Sequence, residues 1–341
     1  MNLQQAIDRV INKQDLSAEQ MQSVMRVIME GKATPAQIGG FLVGLRMKGE
    51  TVTEIAAAAG VMRALASKVE IDAPHLVDVV GTGGDGSHTF NVSTAASFVV
   101  AAAGASVAKH GNRSASGTSG SADLLEAAGA CLDLEPAQVA ECIRVTGIGF
   151  MFAPKHHGAM KHAIGPRREL GARTIFNMLG PLTNPAGVRH QLVGVYGADL
   201  VHTVAEVLQR LGSRHVLVVH SEDGLDEISC AAPTRVAELK QGEISGYTVM
   251  PEQFGLQRGS LDSLRVGSVQ DSLQLVNAVL DNCAGAARDI VSINAGAAIY
   301  AADLVDTLEA GVARAQSLIA DGAAWDKFQE FIDYTRKFST G

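Results

Sequence analysis

The chain has 341 residues, of which 47% are hydrophobic and 19% charged, and its formal net charge is −8. That length and apolar content are enough for one large or two modest domains and exclude a disordered chain. The acidic balance argues against nucleic acid or an anionic membrane as the main partner, so a polyanionic ligand would need a local basic site.

Taken from the start, Met1 to Val10 shows no basic leader followed by an apolar core, and a cytoplasmic protein is expected. Three helix starts follow. Ser17 has Gln20 three residues on, Thr34-Pro35-Ala36-Gln37 places proline at the first helical position, and Thr51-Val52-Thr53-Glu54 repeats the capping pattern. Met21, Val24, Met25 and Ile28 recur at helical spacing, which predicts an all-helical module. Ile71-Asp72-Ala73-Pro74 breaks the pattern, so we expect a helical domain over residues 1–72 and an α/β domain over residues 73–341.

The most informative stretch comes next. Leu76 to Val80 read as an apolar strand, Gly81-Thr82-Gly83-Gly84-Asp85-Gly86 as a glycine turn, and Ser93 to Gly104 as a helix. Glycines let the backbone pass close to an oxyanion, and the free N–H groups of a helix start hold it. The turn also satisfies the dinucleotide pattern Gly-x-Gly-x-x-Gly. However, Ser87 to Val92 intervene before the helix, and the second strand ends in Lys109-His110-Gly111-Asn112-Arg113, where a dinucleotide fold offers an acid to a ribose diol. A lysine and an arginine suit phosphates better. Ser114 to Ser121 then form a hydroxyl- and glycine-rich run before another helical pattern, which reads as a second anion loop.

Beyond this point, apolar runs at Leu192 to Tyr196, His215 to Val219 and Ile290 to Ile293 alternate with helical segments at Val201 to Leu211, Leu273 to Leu280 and Leu304 to Ile319. Alternation of this kind predicts strands of a mostly parallel sheet with crossover helices. In such sheets ligands sit beyond the carboxyl ends of the strands, where both anion loops fall. Cys131, Cys142, Cys230 and Cys283 are dispersed and read as reduced structural thiols. The uncharged stretch from Gly86 to Ala108 is interrupted by polar residues and reads as a buried helix and strand, without a membrane span.

Several blocks together resemble the anthranilate phosphoribosyltransferase family over nearly the whole chain. They are Gly81 to Gly86, Asn91-x-Ser93-Thr94, Lys109 to Arg113, Gly120 to Asp123, Arg167 to Pro185, Asp223 to Glu227 and Asn294 to Ala298. The resemblance implies transfer of a phosphoribosyl group from phosphoribosyl pyrophosphate to the amine of anthranilate, the second step of tryptophan synthesis from chorismate. It also implies a homodimer formed through the helical module, which helices around residues 152–171 complete.

Carried over residue by residue, the resemblance implies a donor site at Gly81, Gly84, Asp85, Thr89, Asn91, Val92, Ser93, Thr94, Lys109, Asn112 and Ser121. The acceptor would meet Gly81, Asn112 and Arg167, with Arg167 holding the anthranilate carboxylate in a planar fork and Arg168 a neighbour of the same chemistry. Ser93, Asp226 and Glu227 would hold Mg2+, a hard cation suited to oxygen ligands and a phosphorylated substrate. No side chain is expected to act as nucleophile or general base. The structural alternative for Ser93 and Thr94 is helix capping, for Asp226 and Glu227 a solvated acidic turn, and for Arg167 and Arg168 a solvated basic face. Lys155-His156-His157 and His162 lack a zinc-like ligand set, and the two adjacent histidines are expected to line the acceptor tunnel or pack between modules.

The chain departs from the family at Gly117 and Thr118 in the donor loop and at Gly158 after the histidine pair. A pyrimidine nucleoside phosphorylase would carry Lys-His-Ser before the glycine turn, where this chain has Val79-Val80-Gly81. A non-catalytic nucleic-acid-binding relative would show a basic groove, whereas this chain is acidic and keeps Arg167, Asp226 and Glu227.

Overall fold

The computed structural model describes residues 1–114 and 118–339. Ser116 and Gly117, which belong to the expected second anion loop, lie outside the described residues.

Four helices open the chain, α1 (Leu3–Ile11), α2 (Ala18–Met29), α3 (Pro35–Lys48) and α4 (Val52–Leu65). Each starts on a reciprocal capping box, at Asn2, Ser17, Thr34 and Thr51. In the second, the Gln20 N–H donates to Ser17 Oγ at 3.3 Å and the Ser17 N–H donates to Gln20 Oε1 at 3.0 Å. Such caps satisfy orphan N–H groups and contribute about 1 kcal/mol each. Met21, Val24, Met25 and Ile28 are fully buried, as their spacing predicts. The helix at Asn2 was not foreseen, although Asn2 and Gln5 carry its capping signal.

After the linker come β1 (Leu76–Gly81), α5 (Val92–Ala102), β2 (Ser106–Gly111), α6 (Ser121–Ala127), α7 (Pro136–Thr146) and β3 (Ile148–Phe152). The chain then passes through α8 (Ala153–His156), α9 (Lys161–Leu170) and α10 (Phe176–Leu179), and α9 packs against α2 and α3. It returns to the sheet with β4 (His190–Gly194), α11 (Leu200–Arg210), β5 (His215–Ser221), β6 (Thr234–Lys240) and β7 (Glu243–Val249). Four helices close the described chain: α12 (Val269–Leu280), α13 (Ala286–Ala301), α14 (Leu308–Ala320) and α15 (Ala323–Arg336).

The described strands form a seven-stranded sheet in the order β3-β2-β1-β4-β5-β6-β7. Strands β1 to β5 are parallel, while β6 and β7 run antiparallel at one edge. The edge hairpin turns through Gln241 and Gly242, both at positive φ, a mirror-image turn that fits the strand twist. The chain steps outward from β1 to β2 and β3, then returns to lay β4 on the other side of β1. The loops leaving β1 and β4 therefore diverge and open a crevice at their carboxyl ends.

One face of the sheet packs on α11 and runs into the core of the helical module, with Val193, Val216, Val218 and Leu239 buried alongside Met25 and Phe41. The other face packs under α5, α12, α13 and α15. The expectation of a strand at Ile290 to Ile293 is corrected: these residues lie inside α13. A four-residue apolar run fits a buried strand or a buried helix equally well. Here it continues into Asn294-Ala295-Gly296-Ala297-Ala298, whose small residues favour helix and allow close packing. A Cβ at Gly296 would lie 2.4 Å from the Val312 nitrogen, so α13 and α14 cross backbone to backbone.

Candidate active site

The glycine turn after β1 lies at the crevice. Gly83, Gly84 and Gly86 have φ of +63°, +73° and +76°, a region that side chains disfavour. Within the turn, Asp85 accepts from the Ser87 N–H at 3.1 Å and the Ser87 hydroxyl at 2.7 Å, and Thr89 Oγ1 lies 3.3 Å from Ser87 Oγ. The far side of the loop is tied down by a segment the sequence did not single out. Phe90 N–H donates to the Leu264 carbonyl, and Val266 N–H donates to the His88 carbonyl, both at 2.9 Å. Thr118 Oγ1 donates to the Val266 carbonyl at 3.1 Å, so the glycine turn and Thr118 rest on the same strip.

Helix α5 begins here with Asn91 as its N-cap, yet the Asn91 side chain makes no capping bond. Its Oδ1 instead accepts from Ser119 Oγ and Ser272 Oγ, each at 2.7 Å, and its amide donates to the Ser119 carbonyl at 3.1 Å. Asn91 thus staples the second loop and α12 to the start of α5. Val92 is buried, with its N–H donating to the Phe90 carbonyl at 2.8 Å. Neither Ser93 nor Thr94 caps the helix. The Ser93 N–H donates to Glu227, while Thr94 Oγ1 is buried with no partner among the described residues.

Asp226 and Glu227 follow β5 and reach back to the β1 and β4 termini. Asp226 Oδ2 accepts the Gly83 N–H at 2.7 Å. A Cβ at Gly81 would lie 2.5 Å from that same oxygen, and one at Gly194 would lie 1.5 Å from the Asp226 carbonyl oxygen. Both strands end in glycine because the acidic loop occupies the space. Burial, reinforced by Asp85, pushes the Asp226 carboxyl up to about 7, and burial, reinforced by Asp226, pushes Glu227 up to about 8. Both residues are half-buried, and the acidic loop crowds the ends of β1 and β4. Asp85 lies close enough to raise the Asp226 carboxyl and Asp226 to raise Glu227, and oxygen groups of this kind suit a hard divalent cation.

Lys109 lies beneath this cluster. It is 3% exposed, and its Nζ donates to the Val79 carbonyl at 2.7 Å and to Ser93 Oγ at 3.4 Å. Burial pushes its pKa down, while Asp78 and Glu227 oppose that shift. Asp78 is a neighbouring charge that sequence reading missed, although a lone charge inside Leu76-Val77-Asp78-Val79-Val80 was a signal. It is fully buried, accepts from the His110 N–H at 3.2 Å and Asn184 Nδ2 at 2.7 Å, and is pushed up to about 6, mainly by burial.

The second loop turns between β2 and α6. The Asn112 side chain accepts from the Arg113 N–H at 2.8 Å, and the Ser121 hydroxyl donates to the Asn112 carbonyl at 3.3 Å. Asp123 accepts from the Ser114 and Gly120 N–H groups at 3.0 and 2.9 Å, closing the turn. Arg113 pairs with Asp123 and Glu126.

In the last turn of α9, Arg167 and Arg168 differ in exposure. Arg167 is half-buried, with its guanidinium 5.1 Å from the Phe176 ring centroid and no acidic partner among the described residues. Arg168 is exposed. His157 packs against His110 with ring centroids 5.1 Å apart, and His156 bonds to the Ser67 carbonyl at 2.8 Å, so the histidine pair lies between modules. Burial pushes His110 down to about 3 and His157 to about 4. Gly158 faces open space, with nothing within 4 Å of an added Cβ.

Comparison with known proteins gives two family matches: "Glycosyl transferase family, helical bundle domain" over residues 4–66 and "Glycosyl transferase family, a/b domain" over residues 73–325. The chain is 61% identical over 339 residues to an anthranilate phosphoribosyltransferase of Methylococcus capsulatus, covering 99% of each chain. It is also 61% identical over 337 residues to one of Alkalilimnicola ehrlichii, covering 99% of this chain and 100% of the relative. Among solved structures it resembles the anthranilate phosphoribosyltransferase of Thermus thermophilus, with a TM-score of 0.92 and 42% identity over 97% of this chain and 99% of that one. The Saccharomyces cerevisiae enzyme, solved in complex with PRPP and Mg, shares the fold with a TM-score of 0.90 at 24% identity, covering 98% of each chain.

Proposed function

The chain belongs to the anthranilate phosphoribosyltransferase family, and from that premise we propose how its crevice transfers phosphoribosyl from phosphoribosyl pyrophosphate to the amine of anthranilate. The products are N-(5-phosphoribosyl)anthranilate and pyrophosphate. The observation that carries the reading is the meeting, at the β1/β4 crevice, of a glycine turn, a helix start, a buried lysine and neighbouring carboxylates.

The aryl amine is already a nucleophile, so the chain's task is to position it and to stabilise the charge that develops as pyrophosphate leaves. Gly81, Gly84, Asp85 and Thr89 line the pyrophosphate and ribose side, and Asn91, Val92, Ser93 and Thr94 present the start of α5 to phosphate. Thr94 Oγ1, buried and unpartnered among the described residues, is a hydroxyl with bonding capacity to spare. Lys109 supplies a fixed positive charge from below, and Asn112 and Ser121 close the donor side. Arg167 holds the anthranilate carboxylate, with Gly81 and Asn112 near the ring and amine.

Ser93, Asp226 and Glu227 would hold Mg2+, which when bound neutralises charge on the pyrophosphate oxygens.

We read residues 1–72 as a helical domain completed by helices around residues 152–171, with residues 73–341 as the α/β domain. The packing of α9 on α2 and α3 supports that division. A homodimer through the helical module is supported by Ile11, Val43 and Met47, exposed on the adjacent helices α1 and α3 at 61%, 40% and 79%. No described helix is long and apolar enough to cross a membrane, and a cytoplasmic place in tryptophan synthesis accords with the substrates. The test is loss of anthranilate with matching appearance of pyrophosphate on mixing the chain with phosphoribosyl pyrophosphate and magnesium. Unchanged anthranilate would refute the reading.

A further inference from the structure

The glycine turn cannot hold its shape by itself. Three of its residues are glycines at positive φ, and glycine loses more conformational freedom on ordering than any other residue. An outside contact must select this one conformation. From the α/β side, Asp226 accepts the Gly83 N–H. From the segment after α9 comes Arg173, whose guanidinium donates to the Gly84 carbonyl, the next residue in the turn.

Arg173, an exposed residue, makes a second contact. Its guanidinium carbon lies 4.3 Å from the centroid of the Tyr196 ring, a cation–π contact. Tyr196 is anchored through its N–H, which donates to Thr82 Oγ1 at 3.0 Å, while Thr82 N–H donates to the Gly194 carbonyl at 2.9 Å. The contacts close a ring through Arg173, Gly84, Thr82 and Tyr196. Tyr196 also lies in the field of Arg46 and Glu50 at the end of α3, so the ring sits where the helical module meets the sheet.

The chain around Arg173 leads to the acceptor wall. Helix α9 ends at Gly171 in the left-handed conformation, and Thr174 N–H donates to Asn177 Oδ1 at 3.0 Å, which starts the next turn. Phe176, on that turn, packs under Arg167. One short bracket therefore carries Arg167 at one end and grips the glycine turn at the other.

We propose that Arg173 is a positioning residue that fixes the donor loop to the acceptor wall, so that the conformation able to bind phosphoribosyl pyrophosphate is set from the same bracket that carries Arg167. The proposal rests on the donor site described above. Arg173 touches the loop carbonyl and acts through it.

The experiment is calorimetric titration of magnesium phosphoribosyl pyrophosphate into wild-type chain, Arg173→Ala, Arg173→Lys and Tyr196→Leu, with steady-state kinetics and circular dichroism on each. Loss of a charge-assisted hydrogen bond predicts about tenfold weaker donor binding in Arg173→Ala, with a lower kcat. Arg173→Lys keeps the charge but loses the planar fork, so it should recover part of the donor affinity, and Tyr196→Leu should lie between wild type and Arg173→Ala. Donor affinity and kcat within twofold of wild type in folded Arg173→Ala would overturn the proposal. Should Arg173→Ala fail to fold, wild-type donor affinity in both Arg173→Lys and Tyr196→Leu would overturn it. A wild-type chain that binds the donor without consuming anthranilate would refute the transferase reading alone, because the calorimetry still decides the bracket. A wild-type chain that does not bind the donor would refute both.

Discussion

The Asp226 carboxylate lies 2.7 Å from the Gly83 nitrogen and accepts its N–H, bringing the acidic loop after β5 onto the glycine turn after β1. This contact requires bare strand ends. Any side chain at Gly81 or Gly194 would enter the volume of Asp226, through its carboxylate at one position and its backbone at the other.

Gly194→Ala is therefore expected to be destabilising, because its Cβ would meet the Asp226 carbonyl oxygen rather than a flexible side-chain tip. Overpacking of this kind costs about 1–3 kcal/mol. Urea unfolding should show a lower midpoint with an unchanged slope, accompanied by weaker magnesium dependence of activity. An unaltered midpoint would mean that the acidic loop moves aside freely.

Arg167→Ala should raise the KM for anthranilate and leave donor binding nearly intact. A lost charge-assisted bond to a carboxylate is worth about 1.5–3 kcal/mol, roughly ten- to a hundredfold in kcat/KM. Arg168→Ala, at an exposed position, should change acceptor kinetics little. The reverse ranking of the two variants would move the carboxylate contact to Arg168.

His110 and His157 should weaken the fold as the pH drops, against Asp78, Asp226 and Glu227, whose raised values strengthen it over the same range. His110 and His157 are held neutral by burial, at about 3 and about 4, below the ordinary histidine value. Between about pH 6.5 and pH 4 the unfolded chain binds protons at these positions while the folded chain does not. Each uncompensated proton lowers the unfolding free energy by about 1.4 kcal/mol per pH unit over that window. Chemical denaturation of wild type and His157→Gln at pH 7, 6 and 5 isolates the histidine contribution: relative to wild type, the variant should gain stability as the pH falls, and an unchanged difference would contradict it.

Met47→Glu combined with Ile11→Glu should convert the proposed dimer to monomer, because both positions are exposed and apolar on α1 and α3. Analytical ultracentrifugation at micromolar concentration decides this outcome. A wild-type monomer, or a variant that stays dimeric, would place the interface elsewhere or remove it.

The helical module was legible from its caps, since Ser17, Thr34 and Thr51 act locally and need no tertiary partner. The glycine turn and Lys109 were also legible, because their residue types are unusual beside buried strands. What escaped the sequence was contact between distant segments. Asp78 under Lys109, Ser272 on Asn91 and the Leu264 to Val266 strip beneath the turn are joined only by the strand order. The four-residue run at Ile290 carried no period that could separate helix from strand, and only its place between α5 and α14 settles it.

The most direct test of the central claim, phosphoribosyl transfer supported by an oxygen-ligated cation at the β1/β4 crevice, is a magnesium titration of the initial rate of phosphoribosylanthranilate formation. It compares wild type with the double variant Asp226→Asn and Glu227→Gln, using circular dichroism as a folding control. The account predicts a saturable magnesium dependence in wild type, and in the folded variant a requirement for much higher magnesium or no product. A variant with the wild-type titration curve and turnover would contradict it.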